Sequence, residues 1–185
     1  CGKVNKGLVS ALNQKGGKAI GLCGIDGGLL SAKTISPSYG RTGEVVKGDV
    51  TMVNSFLNQG YIPVIATVAQ GADGLTNVYS VSANVAAAKL AVALGAEKLI
   101  QLTDKESMLQ NPDAPGAPMP ELHLSKVPAL IRSGAISQIM VHKVNCSVEA
   151  VRSGVKSATF LDGTVPHAIL LELLSDEGIG TMLTH

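Results

Sequence analysis

The sequence predicts an α/β fold in which a largely parallel sheet carries helices on both faces. Short apolar runs alternate with longer segments of helical periodicity, an order that is typical of parallel sheets. The length of 185 residues suits one domain. Hydrophobic residues make up 45% of the chain and aromatic residues only 3%, so the core must consist mainly of Val, Leu, Ile and Ala, a mix that favours layered packing.

Four apolar runs are too short for buried helices and are predicted as core strands. They span residues 19–24, 62–69, 98–104 and 157–162. Residues 25–47, which are rich in Gly and Ser, predict a hairpin or flap. The stretch NPDAPGAPMPEL is rich in proline between Pro112 and Pro120 and predicts an irregular surface loop.

Helical patterns fill the intervals between these strands. The opening stretch CGKVNKGLVSALNQKG already repeats apolar residues at helical spacing and begins without an initiator Met, so we expect a piece of a longer protein. A second helix begins at a plausible Asp49 cap and ends at Gly60, and a third begins near Ser82 and ends at Gly95. Three more helices are predicted in HLSKVPALIRSG, IMVHKVNCSVEAVRSG and VPHAILLELLSDEG.

Charge and cysteine content exclude several classes of function. The net charge is +1, with Lys and Arg spread along the chain, so we expect no nucleic-acid partner. Cys1, Cys23 and Cys146 lie far apart and indicate reduced intracellular thiols, and no His, Cys or acidic cluster suggests a bound metal. The sequence shows neither a signal peptide nor a membrane span, so no membrane partner is expected.

Three polar residues lie where ligands usually bind in open α/β sheets, beyond the carboxyl ends of strands and at helix starts. Lys143 falls in the first turns of a helix, where the dipole disfavours a cation, so it is expected to meet an anion such as phosphate; a solvated lysine is the alternative. Asp104 ends a strand and suits either a ribose or a turn. Asn84 begins a helix and by default caps it.

Several segments form one further pattern that runs nearly from end to end. They are GKVNKGLVSALNQKGGKAIGLCGIDGGLL, GEVV, IPVIATVA, ALGAEKLIQLTD, MVHKVNCSVEAVRSGVKSATFLDG and VPHAILLELLSDEGIGTM. Together they resemble the N-acetylglutamate kinases of the amino acid kinase family. The resemblance implies a three-layer α/β/α fold with a mostly parallel sheet, of which about the first third is missing, so that residues 1–185 form the nucleotide-binding, C-terminal portion of one kinase domain.

The resemblance also implies an activity and its ligands. The family transfers phosphate from ATP to the γ-carboxylate of N-acetyl-L-glutamate in arginine biosynthesis, with Mg²⁺ bound to the nucleotide. It implies a homo-oligomer in the full-length protein. It further implies an intracellular location, cytoplasmic in bacteria and plastid or mitochondrial in eukaryotes.

Individual residues take roles from the same resemblance. The family's Asn-x-Asn-Ala-Asp motif stands here as SVSAN, so Ser80 is implied in substrate binding. Asn84 replaces the aspartate that organises two lysines around the transferring phosphoryl group, and Lys143 matches one of these lysines. Thr103 and Asp104, together with Lys143, are implied in nucleotide binding. Because Asp to Asn keeps the shape but removes the charge, catalysis is expected to suffer.

Further departures from the family affect the phosphate site. Gln138 and Ile139 stand where glycines would let the backbone approach phosphate, His142 replaces a proline, and Glu106 would repel phosphate. We therefore expect this chain to be inactive. One alternative is a kinase-like pseudoenzyme that binds arginine, a nucleotide or a kinase subunit. Another is a family member that acts on a different carboxylate or carbamate.

The C-terminal segment VPHAILLELLSDEGIGTM resembles the arginine-inhibited subgroup of these kinases. The resemblance implies L-arginine as a feedback inhibitor, with His167, Glu177 and Gly180 as candidate effector residues. The arginine motif argues against the different-carboxylate alternative. For the residues themselves, a helix cap at His167 and a solvated helix-end charge at Glu177 are the alternatives.

Overall fold

The computed structural model describes residues 1–72, 77–104, 119–175 and 178–185. The chain folds into two compact units, Cys1–Leu94 and Gly95–His185, which are called the first and second unit below. Each unit combines strands with helices that pack on them, as the α/β class predicts. The expectation that the whole chain belongs to one kinase domain stays a prediction. Within the described residues, no helix has the length and apolar character needed to cross a lipid bilayer.

The first unit combines a two-stranded parallel sheet with a small closed barrel. Its helices are α1 Lys3–Gln14, α2 Thr51–Asn58 and α3 Ala83–Leu94, and its strands are β1 Ala19–Cys23, β2 Leu30–Thr34, β3 Thr42–Gly48, β4 Ile62–Ala66, β5 Val68–Gly71 and β6 Val78–Val81. Strands β1 and β4 pair in parallel. Strands β2, β3, β6 and β5 close the barrel through two antiparallel and two parallel pairs.

The core of the first unit is aliphatic, as the composition predicts. Leu29, Leu30 and Ala32 are fully buried, and Tyr79 is an aromatic residue in this cluster. The predicted hairpin is confirmed by the antiparallel pairing of β2 with β3. The predicted start of α2 is confirmed to within one residue, but the cap position is Val50 rather than Asp49; the Asp49 carboxylate accepts hydrogen bonds from Thr51, which hold the pKa of Asp49 below its usual value.

Helix α1 packs on β1 and β4 through polar side chains and Val9, whereas its other apolar positions are largely exposed. Asn5 is buried, and its Nδ2 donates to the carbonyl oxygens of Leu22 at 3.2 Å and Val64 at 2.7 Å. Apolar periodicity usually marks the buried face of a helix. Here, however, Val4 is 72% and Leu8 53% exposed within the unit. The pattern therefore predicted the helix correctly but did not identify the side that meets the sheet.

The second unit contains a four-stranded sheet in the order β7-β9-β10-β8. Its elements are β7 Lys98–Thr103, β8 Glu121–His123, α4 Val127–Arg132, α5 Gln138–Arg152, β9 Ser157–Asp162, α6 Ala168–Leu174 and β10 Thr181–Thr184. Strand β7 runs parallel to β9 and β8 parallel to β10, whereas β9 and β10 are antiparallel. Strand β9 is buried on both faces, and helices α5 and α6 both pack on it, which explains its continuous apolar run.

Several element predictions were wrong in detail. The run 62–69 was predicted as one strand but divides at Thr67 into β4 and β5, and the short strand β6 was not predicted. Residues 111–118 of the proline-rich loop lie outside the described residues, but the end of that stretch forms β8, in which Leu122 is buried. Helix α6 ends at Leu174 rather than near Gly178, because the backbone at Ser175 is extended.

Candidate active site

Helix α5 places Lys143 at the end of strand β7. Lys143 as a whole is partly buried, and its ammonium donates to the carbonyl oxygen of Leu102 at 3.2 Å. Leu102 immediately precedes Thr103, the last residue of β7, and Thr103 is followed by Asp104. The three residues predicted to hold a nucleotide are therefore brought together within the second unit.

The parallel strand β9 ends beside β7 and adds a carboxylate to the same edge. Asp162 lies opposite Thr103 in the strand register, and the Gly163 amide donates to the Thr103 carbonyl at 2.8 Å. Asp162 Oδ1 accepts from the Thr164 amide at 2.8 Å and from its hydroxyl at 2.6 Å. Sequence reasoning did not select Asp162, although a strand that ends in Asp-Gly follows the same pattern as the strand ending at Asp104.

The start of α5 adds backbone donors near Lys143. Ser137 occupies the cap position but makes no side-chain capping bond, so the first turn is not closed by its own cap. Gln138 and Ile139 were expected to crowd this backbone; both side chains are exposed, with Ile139 83% accessible. Glu106, expected to repel phosphate, lies outside the described residues.

Ser80 and Asn84 belong to the first unit. Ser80 lies on β6 and lines an open cavity of about 280 Å³ together with Asn5 of α1 and residues 64–68. The Ser82 carbonyl accepts from the Ala86 amide at 2.9 Å, so Ser82 occupies the capping position of α3. Asn84 therefore lies inside the first turn, and the alternative that it caps the helix is wrong. The expected catalytic pairing of Asn84 with Lys143 stays a prediction.

The predicted effector segment contains a buried carboxylate that the sequence interpretation missed. Glu172 on α6 is only 6% exposed, and its Oε2 accepts from the amides of Ile179 at 2.9 Å and Gly180 at 3.1 Å. The visible sequence signal was a lone Glu inside the apolar run LLELL. Glu177, which was selected instead, lies outside the described residues.

The other effector candidates within the described residues are His167 and Gly180. His167 precedes α6 and has a left-handed backbone conformation with φ 61°. Its side chain makes no capping hydrogen bond, but its carbonyl oxygen accepts a hydrogen bond from the Leu171 amide. Gly180 packs against Thr159, where an added Cβ would collide with the threonine methyl group. The hydroxyls of Thr159 and Thr181 are buried without a hydrogen-bond partner among the described residues.

Comparison with known proteins identifies the family. A model of the amino acid kinase family matches residues 1–162. The chain belongs to the amino acid kinase family. It is 48% identical over 184 residues to acetylglutamate kinase of Clostridium beijerinckii, and 43% identical over 183 residues to acetylglutamate kinase of Prochlorococcus marinus (strain NATL1A). Each match covers 98% of this chain but only 64% and 60% of the respective relative, so the chain spans less than two thirds of their length.

A solved structure supports the same fold assignment for this amino acid kinase family member. The N-acetylglutamate synthase of Neisseria gonorrhoeae, complexed with coenzyme A and L-arginine, superposes with a TM-score of 0.72 at 24% identity. The match covers 91% of this chain and 38% of the synthase. The predicted amino acid kinase-like α/β class is thereby confirmed, and the resemblance to N-acetylglutamate kinases is confirmed by the relatives.

Proposed function

We propose that this chain provides the nucleotide-binding part of an N-acetylglutamate kinase. In the reaction, an oxygen of the substrate γ-carboxylate attacks the γ-phosphorus of ATP, the bond from that phosphorus to ADP breaks, and an acyl phosphate forms. The observation that carries the proposal is the position of Lys143, whose ammonium lies beside the strand end at Thr103. The 48% identity to an acetylglutamate kinase supports the substrate.

The residues at this edge suit a nucleotide because they offer opposite charges close together. Lys143 would compensate the negative charge of the phosphates, and the amides at the start of α5 would donate to phosphate oxygens. Among the described residues, no three His, Cys, Asp or Glu side chains cluster as metal ligands. Asp104 and Asp162 are nevertheless suitable oxygen ligands for Mg²⁺ carried by ATP, and the ion would neutralise phosphate charge.

The cavity beside Ser80 is the part of the first unit that suits the substrate. Its walls combine apolar side chains such as Leu8 and Val64 with the polar groups of Ser80 and Asn5. N-acetyl-L-glutamate carries an acetyl methyl group beside polar amide and carboxylate groups, which matches this mixture. The neutral Asn84 would leave the lysines around the transferring phosphoryl group without the carboxylate that organises them, so binding without turnover is the second candidate function.

Calorimetric titration with Mg-ATP tests the nucleotide site. We expect a dissociation constant between roughly micromolar and millimolar for the chain. Lys143→Ala should weaken binding about 10- to 100-fold, because a lysine contact with phosphate is lost. Lys126→Ala, which removes the same charge from an exposed position before α4, should leave binding unchanged. Equal affinities of the wild type and Lys143→Ala would contradict the proposal.

We further propose that L-arginine binds the segment around Glu172 as a feedback effector. Glu172 offers a buried carboxylate, and the hydroxyls of Thr159 and Thr181 are buried without a hydrogen-bond partner among the described residues; such oxygen acceptors suit a ligand rich in N–H donors, for example a guanidinium group. His167 and Gly180 adjoin α6 and the carboxylate, respectively, and remain candidate contacts. The arginine bound to the N-acetylglutamate synthase supports this choice of ligand. The homo-oligomer and the intracellular location stay predictions.

A further inference from the structure

Helices α4 and α5 leave an open groove between them in the second unit. It has a volume of about 300 Å³, which is in the range of sites for small organic molecules. Leu124, Val127 and Val148 line it and are buried, so its floor is apolar. Asn145 and Arg152 also line it, and both are exposed to solvent. The groove therefore combines an apolar floor with an accessible polar side on α5.

The charge of this groove comes from Arg152. Within the described part of the chain, the Arg152 side chain forms neither an ion pair nor a hydrogen bond, whereas the side chains of Lys33, Lys156 and His123 each have an acidic partner. A guanidinium carries five donors in a planar fork that matches a carboxylate. The guanidinium group of Arg152 and the apolar floor of the groove together complement a molecule that has a carboxylate at one end of a hydrocarbon chain.

The position of Arg152 on its helix makes the guanidinium decisive for such a ligand. Arg152 is the last residue of α5, where the helix dipole favours a cation and opposes an anion. The backbone at this end of α5 would therefore not attract a carboxylate. Binding of the carboxylate depends on the positive charge of the Arg152 side chain. Asn145 adds an amide that can donate to a second oxygen.

We propose that the groove between α4 and α5 binds a small aliphatic monocarboxylate, with the carboxylate on Arg152 and the hydrocarbon chain over Val127 and Val148. The residues Thr103, Asp104 and Lys143 do not line this groove. The site therefore goes beyond the proposed nucleotide and arginine sites, and its test does not depend on either.

Titration of the chain with hexanoate, followed by chemical-shift changes of backbone amides, tests the proposal. Hexanoate should bind saturably, and Arg152→Gln should weaken it at least about tenfold. Hexan-1-ol, which keeps the hydrocarbon chain but lacks the charge, should bind the wild type and Arg152→Gln equally. Arg132→Gln removes the same charge from the last turn of α4, outside the groove lining, and should bind hexanoate like the wild type.

A second variant locates the hydrocarbon part of the ligand. Asn145→Trp places a large side chain at an exposed lining position, so it should abolish binding of both hexanoate and hexan-1-ol while the far-ultraviolet circular dichroism stays unchanged. The proposal is overturned if hexanoate does not bind saturably to the wild type. It is equally overturned if Arg152→Gln binds hexanoate as tightly as the wild type does, or if the Trp variant retains binding.

Discussion

The two units of this amino acid kinase family member use their polar side chains differently. In the first unit, Asn5 is buried and satisfies strand carbonyls, and the SVSAN segment offers only neutral groups at Ser80 and Asn84. In the second unit, Lys143 is partly accessible at the end of β7, and Glu172 presents a buried carboxylate. In the proposed sites, therefore, the charged side chains Lys143 and Glu172 belong to the second unit, whereas the first unit contributes neutral hydrogen-bonding groups.

Restoring a carboxylate in the first unit should have the largest effect. In a full-length version of the protein, Asn84→Asp should raise the rate of N-acetyl-L-glutamate phosphorylation by roughly 100-fold. The reason is that a restored carboxylate charge in a water-poor site contributes about 3 kcal/mol. A coupled assay of ADP release measures the rate, and Ser82→Asp, which places the charge at the helix cap, is the control. Unchanged turnover in Asn84→Asp would show that this residue does not occupy the catalytic position.

Removing the buried amide of the first unit should lower stability strongly. Asn5→Ala leaves the carbonyls of Leu22 and Val64 without their donors, so the free energy of unfolding should fall by about 2–4 kcal/mol. Urea denaturation measures this loss. Gln14→Ala on the exposed side of α1 should change the free energy by less than about 0.5 kcal/mol. A small effect of Asn5→Ala would mean that ligand chemistry, and not folding, explains this residue.

Neutralising Glu172 should weaken arginine binding in the second unit. Glu172→Gln keeps the size of the side chain and an oxygen that can accept from the amides of Ile179 and Gly180, but it removes the charge. The dissociation constant for L-arginine should rise about tenfold in calorimetric titrations. Glu149→Gln, an exposed position on α5, should leave it unchanged. If both variants bind arginine like the wild type, the effector site lies elsewhere.

The smallest effect is expected on the exposed apolar positions of α1. Val4→Thr should change the free energy of unfolding by less than about 0.5 kcal/mol, because Val4 is 72% exposed. Urea denaturation measures the free energy of unfolding of this variant and of Val53→Thr. Val53 is only 1% exposed and lies in the core, so its substitution should lower the free energy of unfolding more. A loss at Val4 as large as the loss at Val53 would show that the apolar side of α1 is buried after all.

Much of the fold followed from local patterns. The apolar runs at 19–24, 98–104 and 157–162 became β1, β7 and β9, and each predicted helix formed. The segment motifs also indicated the family, which the family model and the relatives confirm. These features depend on neighbours within a few residues, so helical periodicity and short apolar runs are sufficient to predict them.

The partners of these elements depended on tertiary structure. Strand β6 alternates buried Tyr79 and Val81 with exposed Val78 and Ser80. So short a strand is stable only because it pairs with β3 and β5 in the closed barrel. The sequence by itself predicted the helices, the core strands β1, β7 and β9, the family and the candidate nucleotide residues. Only tertiary structure decided that Asn5 rather than Val4 faces the sheet and that Glu172 is buried, because burial depends on chain segments that no local pattern specifies.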